Sequence, residues 1–265
     1  MSAGRITVVK GDERLASIPL ERVSAVVVHG NVDLSGALLR ELMWRGLPCV
    51  WCTGAGRVVG WTNGVKPPNG GARFRQFAAS AEGRVDIARE FVVAKVANQA
   101  TILRRFGGMP AVVKRLRSAT RLASTATSTG QLFGIEGRAA AEYFAGFPGL
   151  LAPGVDAGVA ESFPGRVGRG ATDPLNIALN YGYGMLLSEV IRAVLACGLD
   201  PHAGVLHSSG RNKPALALDL MEEFRPPWWI PPSWPRSTMA SWGGCLSLMC
   251  SAARGSPRVE SLIVV

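Results

Sequence analysis

The stretch Gly64-Val65-Lys66-Pro67-Pro68-Asn69-Gly70-Gly71 divides the chain into two parts with different hydrophobic periods. Two prolines remove backbone donors, and Asn and Gly favour turns, so the stretch reads as a loop or linker. On its N-terminal side lie short β-branched runs separated by turn residues: Arg5–Val9, Leu15–Ile18, Val23–His29, Pro48–Cys52 and Arg57–Trp61. One helix interrupts them, Ser35–Trp44, with Leu38, Leu39, Leu42 and Met43 at helical spacing and Gly46 as its stop. On the C-terminal side the period becomes helical. Arg84–Phe106 carries Ile87, Phe91, Ala94/Lys95 and Asn98 along one line, and Pro110–Ala123 and Gly130–Phe147 follow. Asp173 before Pro174 reads as an N-cap with proline at the first helical position, opening a helix to about Cys197. Pro214–Phe224 is a last short helix. The expected fold class is α+β, with a small N-terminal β-rich domain over residues 1–70 and a larger all-helical domain over residues 71–265.

Bulk properties narrow the function. A hydrophobic share of 48% supports a real core rather than disorder. No apolar run approaches the roughly 20 residues of a membrane span, and no signal-like segment opens the chain, so a cytoplasmic protein is expected. The net charge of +10, from 29 Lys and Arg against 19 Asp and Glu, favours polyanionic partners, because neutralising phosphates releases condensed counterions. Five cysteines form no disulfide framework. Cys49 and Cys52 lie three apart on a strand, so they point to opposite faces and read as core residues.

Three sites carry candidate chemistry. Glu136 shares a helix face with Ala139, Ala140 and Tyr143, where a carboxylate is costly to bury without a partner. The same residue also reads as a partly exposed Glu favoured by the helix dipole. Asp219 and Glu222 stand three apart on the apolar last helix, with Glu223 one position further round. They suit oxygen ligation of a divalent cation, or a solvated turn of weak ion pairs with Arg225. His207 closes Ala203-Gly204-Val205-Leu206-His207 before a Ser-Ser-Gly turn. Glu, His and a further acid make a mixed nitrogen and oxygen set suited to Mn2+ or Mg2+ in phosphodiester chemistry, although spacing does not show that they converge.

Four motifs in order carry a resemblance: Gly134-Ile135-Glu136-Gly137-Arg138-Ala139-Ala140 with Tyr143-Phe144; Asp173-Pro174-Leu175-Asn176 with Leu179-Asn180-Tyr181-Gly182-Tyr183; Gly198-Leu199-Asp200-Pro201 through His207; and Leu216 to Pro226. Arg75-Gln76 and Ala94 to Gln99 also fit, and matches run from about residue 20 to 226. Together they resemble the CRISPR-associated spacer integrase, the first-numbered Cas family. The resemblance implies a β domain followed by a helical domain. It implies Glu136, His207 and Glu222 as catalytic metal ligands for Mg2+ or Mn2+, with Asp219 as a neighbouring accessory acid. It also implies a homodimer, acting on double-stranded DNA with a small ferredoxin-like CRISPR-associated partner. In that family's reaction a DNA 3′-hydroxyl attacks a phosphodiester at the CRISPR repeat and joins the spacer by transesterification; hydrolysis of branched DNA uses the same site.

Other residues fit supporting roles. Lys114, Arg117 and Arg121 share one face of the second helix, beside Arg115, and suit either a phosphate track or a solvated face. Arg73 and Arg75, expected in the linker, are further candidates to grip DNA backbone. Asn176 and Asn180, one helical turn apart, suit support of the site or DNA contacts, while His29 and His202 read as structural. After Pro226 the pattern departs from the family: four of the seven tryptophans fall within residues 228–242, and Glu260 is the only acid after Glu223. A slipped reading frame is one explanation: if the codon before Trp228 ends in G, Trp228-Trp229-Ile230 read one nucleotide earlier becomes Val-Val-Asp. Two other functions remain open: a structure-specific repair nuclease acting on branched DNA, and a DNA-binding subunit whose chemistry is lost with the altered C-terminus.

Overall fold

A computed structural model describes residues 4–65, 70–150, 157–208, 210, 213–226 and 262–264. The unusual segment 227–261, on which the frame-slip reading rests, lies outside the described residues. Among the described residues no helix is long and apolar enough to cross a membrane.

Strands β1 (Arg5–Lys10) and β2 (Glu13–Pro19) form an antiparallel hairpin. A second sheet has the order β5-β4-β3-β6, from β3 (Val26–His29), β4 (Cys49–Cys52), β5 (Val58–Thr62) and β6 (Leu262–Val264). β3 and β4 run parallel, joined through α1 (Gly36–Arg45), and the outer pairs are antiparallel. Ser35 caps α1, and Gly46, the stop that the sequence pattern predicts, ends it in the left-handed conformation.

All four residues of β3 are buried, because the sheet is covered on both faces. Val26, Val28 and Cys49 join Ile6, Leu20, Leu38 and Leu42 in the core beneath α1. Val27, Val50 and Cys52 face the other way and pack with Leu186, Ile191, Leu195 and Met221. The two cysteines thus belong to opposite cores, and burial pushes their thiols up to about 12 and about 11.

Helices follow: α2 (Gly70–Glu82), α3 (Val85–Ile102), α4 (Pro110–Ser124), α5 (Thr129–Ala145), α6 (Ala157–Glu161), α7 (Pro174–Ala196) and α8 (Ala215–Phe224). α3 passes at Leu103–Gly107 into a π-helical turn, which left-handed Gly108 ends. Helix α2 corrects the sequence reading, because Arg73 and Arg75 lie on a helix and not in a linker. Its glycines occupy only the first turn, and Ala72, Arg73, Gln76, Ala78 and Ala79 are good helix formers.

Helix α7 is the spine between the two parts. Its apolar residues meet the sheet, while Leu179 joins the helical core of Val92, Val96, Leu116, Leu132 and Tyr143. Contact is close enough that a Cβ on Gly184 would strike the Gly56 carbonyl. Ile191 is fully buried at this junction, so Ile191→Ala is expected to cost about 3 kcal/mol. Urea denaturation checks this, and a loss below about 1 kcal/mol would mean that the sheet–helix contact is not a tight core.

Candidate active site

Two helices and one loop carry the candidate residues. α5 carries Glu136, α8 carries Asp219 and Glu222, and the segment between α7 and α8 carries His207. Helix α2 secures that segment. Gln76 Nε2 donates to the carbonyls of Asp200 (2.7 Å) and Ala203 (3.0 Å), while its Oε1 accepts from Asp200 N–H (2.9 Å). Ser80 Oγ donates to Gly204 O (2.6 Å), and Arg73 Nε donates to Gly198 O (2.8 Å). Arg73 therefore serves the framework of the site, whereas Arg75 is exposed.

Asp219 is fully buried, and its carboxylate organises the His207 segment. Oδ2 accepts from the N–H groups of Val205 (2.7 Å) and Leu206 (3.0 Å). Oδ1 accepts from His207 N–H (2.8 Å) and faces His207 Nδ1 at 2.7 Å. That contact assigns the ring proton to Nδ1 and leaves the Nε2 lone pair free to point inward. Nε2 lies 3.9 Å from Glu222 Oε1, and Phe133, one turn before Glu136, meets the His207 ring edge-on at 5.7 Å. Gly204 makes the close approach possible: a Cβ there would sit 2.7 Å from Asp219 Oδ2 and 2.6 Å from the Ala215 backbone.

The residue that joins the two glutamates is Lys95, on α3. Its side chain is 8% exposed, and its ammonium contacts both Glu136 Oε1 and Glu222 Oε2. A lysine buried this far demands anionic partners, and two carboxylates brought close demand a cation. Glu222 is 4% exposed. Burial works to raise its pKa, but Arg225 and Lys95 outweigh it and hold the carboxyl below its ordinary value. Its Oε2 is ion-paired with the Lys95 ammonium, and Oε1 lies 3.4 Å from Arg225 Nη2. Asn98 Nδ2 donates to Glu223 O (2.7 Å) and pins α3 to α8 beside this cluster.

Among the described residues, no three His, Cys, Asp or Glu side chains are already drawn together as ligands for a metal ion. Lys95 holds the space between the carboxylates instead. The donor chemistry nonetheless suits a hard or borderline divalent cation: two carboxylates and one imidazole with its second nitrogen fixed by Asp219.

The remaining candidates lie elsewhere. Asn176 is fully buried and, with Asn180, clamps the loop at residues 165–168 and Arg166. Arg166 and Arg225 both lie over the Tyr183 ring, at 5.3 and 5.1 Å, so the asparagines reach the carboxylates only through this stack. Lys114, Arg117 and Arg121 line a groove with Arg104 at the corner of α3 and α4. Arg115 points away and pairs with Glu142.

Lys95, Arg225, Tyr183 and Gly204 escaped the sequence reading as site residues. The signal for Lys95 was its place in the apolar line of its helix, which mirrors that of Glu136. Removing the Asp219 carboxylate leaves buried donors unpaired, so Asp219→Ala is expected to lower stability by about 3 kcal/mol or more. Gly204→Ala should cost about 1–3 kcal/mol by pushing that carboxylate aside. Chemical denaturation checks both, and near-neutral values would contradict the buried clamp.

Comparison with known proteins bears on the family and the fold. The family model for CRISPR associated protein Cas1 matches residues 1–230. The chain is 37% identical to CRISPR-associated endonuclease Cas1 1 of Thermus thermophilus, over 84% of this chain and 67% of that protein. It is also 37% identical to a Cas4/Cas1 fusion of Rhodospirillum rubrum, over 79% of this chain but only 37% of the fusion. The chain thus spans between about a third and two thirds of these relatives' length. Among solved structures, a CAS1 protein from Thermotoga maritima superposes with a TM-score of 0.70 at 27% identity, covering 85% of this chain and 71% of that one. The partial Cas6-RT-Cas1–Cas2 complex superposes with a TM-score of 0.58 at 26% identity, over 85% and 68% of the two chains. Model match, identity and superposition agree: the chain belongs to the CRISPR-associated Cas1 family.

Proposed function

We propose that this chain is a metal-dependent DNA endonuclease and integrase of CRISPR adaptation, joining short duplex DNA into a repeat array by transesterification. The observation that carries this reading is the pairing of Glu136 and Glu222 on one buried ammonium, with His207 Nε2 3.9 Å from the other oxygen of Glu222 and Asp219 fixed behind the histidine. Glu136, Glu222 and His207 Nε2 would hold Mg2+ or Mn2+. When bound, such an ion lowers the pKa of an attacking hydroxyl and offsets charge on the phosphoryl oxygens. Asp219 keeps His207 in the tautomer that presents Nε2, and Gln76 and Ser80 keep the loop in place.

The reaction exchanges one phosphodiester for another. The 3′-hydroxyl oxygen forms a new P–O bond to the phosphate at the repeat's 5′ end while that phosphate's bond to the adjoining nucleotide's 3′-oxygen breaks, and the hydroxyl proton ends on that leaving oxygen. The number of phosphodiesters is unchanged, so no nucleotide hydrolysis is required. Water in place of the hydroxyl gives strand cleavage. The groove of Arg104, Lys114, Arg117 and Arg121 is a candidate track for DNA backbone. A homodimer and a small partner of the Cas2 kind, as in the Cas6-RT-Cas1–Cas2 complex, belong to the same proposal.

The test is strand transfer of a labelled short duplex into supercoiled DNA carrying a repeat, with Mn2+ and the small partner present. Glu136→Ala and His207→Ala are each expected to reduce joined product at least about a hundredfold, with DNA binding retained. Cleavage of branched DNA without repeat-dependent joining would favour the repair-nuclease reading. DNA binding with neither reaction would favour a subunit that has lost its chemistry.

A further inference from the structure

We propose that Lys95 is a built-in counter-ion which occupies the gap between Glu136 and Glu222 and has to leave it before a divalent cation can enter. The inference rests on the metal-site reading above and goes beyond it, because it assigns to a lysine the control of metal affinity.

The ammonium contacts one oxygen of each glutamate, Glu136 Oε1 and Glu222 Oε2. Those carboxylates would otherwise repel each other across a poorly solvated gap, so in the absence of a metal Lys95 supplies the missing positive charge. A dication sharing the same two glutamates needs the same space, and it would repel a buried ammonium beside it. Occupancy is therefore an exchange: one ammonium leaves and one dication enters, raising the charge of the site by one. Lys95 has a flexible four-carbon stem, so its head can swing aside while α3 stays fixed by Asn98 against α8. A lysine that merely clamped the two glutamates in ligating positions would act in the opposite sense, since removing it would weaken metal binding.

The experiment uses the full chain and Mn2+ alone, with free Mn2+ followed by electron paramagnetic resonance and folding followed by thermal unfolding in EDTA and in Mn2+. Lys95→Met removes the competitor, so Mn2+ is expected to bind about tenfold tighter than to the unsubstituted chain. The same variant should melt lower in EDTA and gain more from Mn2+ than the unsubstituted chain does. Lys95→Arg places a planar fork that pairs more firmly with carboxylates, so Mn2+ should bind about threefold weaker. That variant keeps the charge and decides the matter if Lys95→Met does not fold without metal. Unchanged or weaker Mn2+ affinity in Lys95→Met, or unchanged affinity in Lys95→Arg, overturns the exchange.

Glu136→Gln and Glu222→Gln separate the two ideas. If both abolish Mn2+ binding while the Lys95 variants leave it unaltered, the metal site stands and only the exchange falls. If neither alters Mn2+ binding, the metal-site reading falls and the exchange falls with it.

Discussion

A buried charge has to be matched, and most of the helical half is arranged around one such match. Lys95 on α3 meets Glu136 on α5 and Glu222 on α8, so three helices that bury apolar faces against one another also have to agree in register and depth. Hydrophobic packing alone tolerates sliding by a fraction of a turn; an ammonium shared by two carboxylates does not. Around it, Asn98 ties α3 to α8, Arg225 neutralises the far oxygen of Glu222, and Tyr183 seats Arg225 and Arg166 on one ring. The loop bearing His207 is then hung from two independent supports, Asp219 below and α2 above. The acids thus divide by role, since Glu136 and Glu222 share a cation whereas Asp219 shapes backbone.

The sheet takes part through α7. Strand β3 is buried on both faces, so its alternating valines belong to two cores, and one of those cores is the surface on which α7 and α8 rest. The helix that carries Asn176 and Tyr183 toward the site is held from behind by Val27, Val50 and Cys52. Loss of packing there is felt at the carboxylates because α8 shares the same core through Leu216, Ala217 and Met221.

Much of this was legible in the chain itself. Periodicity located α1, α4, α5, α7 and α8 to within a residue or two, and Asp173 accepts from the first-turn Asn176 N–H as its sequence suggests. The two faces of Cys49 and Cys52 followed from strand geometry alone. Helix α2 was hidden, since Gly70-Gly71 after two prolines looks like linker, and its Gln76 and Ser80 bond to partners 124 and 127 residues away. The pairing of Glu136 and Glu222 on one ammonium, with His207 beside Glu222, was not legible, because spacing along separate elements says nothing about distance between them. Lys95 was within reach of reasoning from burial: a lysine in an apolar line requires acids, and Glu136 and Glu222 are acids in apolar lines.

Whether the shared cation position is a metal site is decided most directly by anomalous scattering at the manganese edge, from crystals of the full chain grown with Mn2+. One peak is expected, bounded by Glu136, Glu222 and His207 Nε2, with the Lys95 ammonium displaced from between the glutamates. Manganese elsewhere, or no peak with both Lys95 ion pairs intact under saturating metal, would contradict a metal site built on these residues.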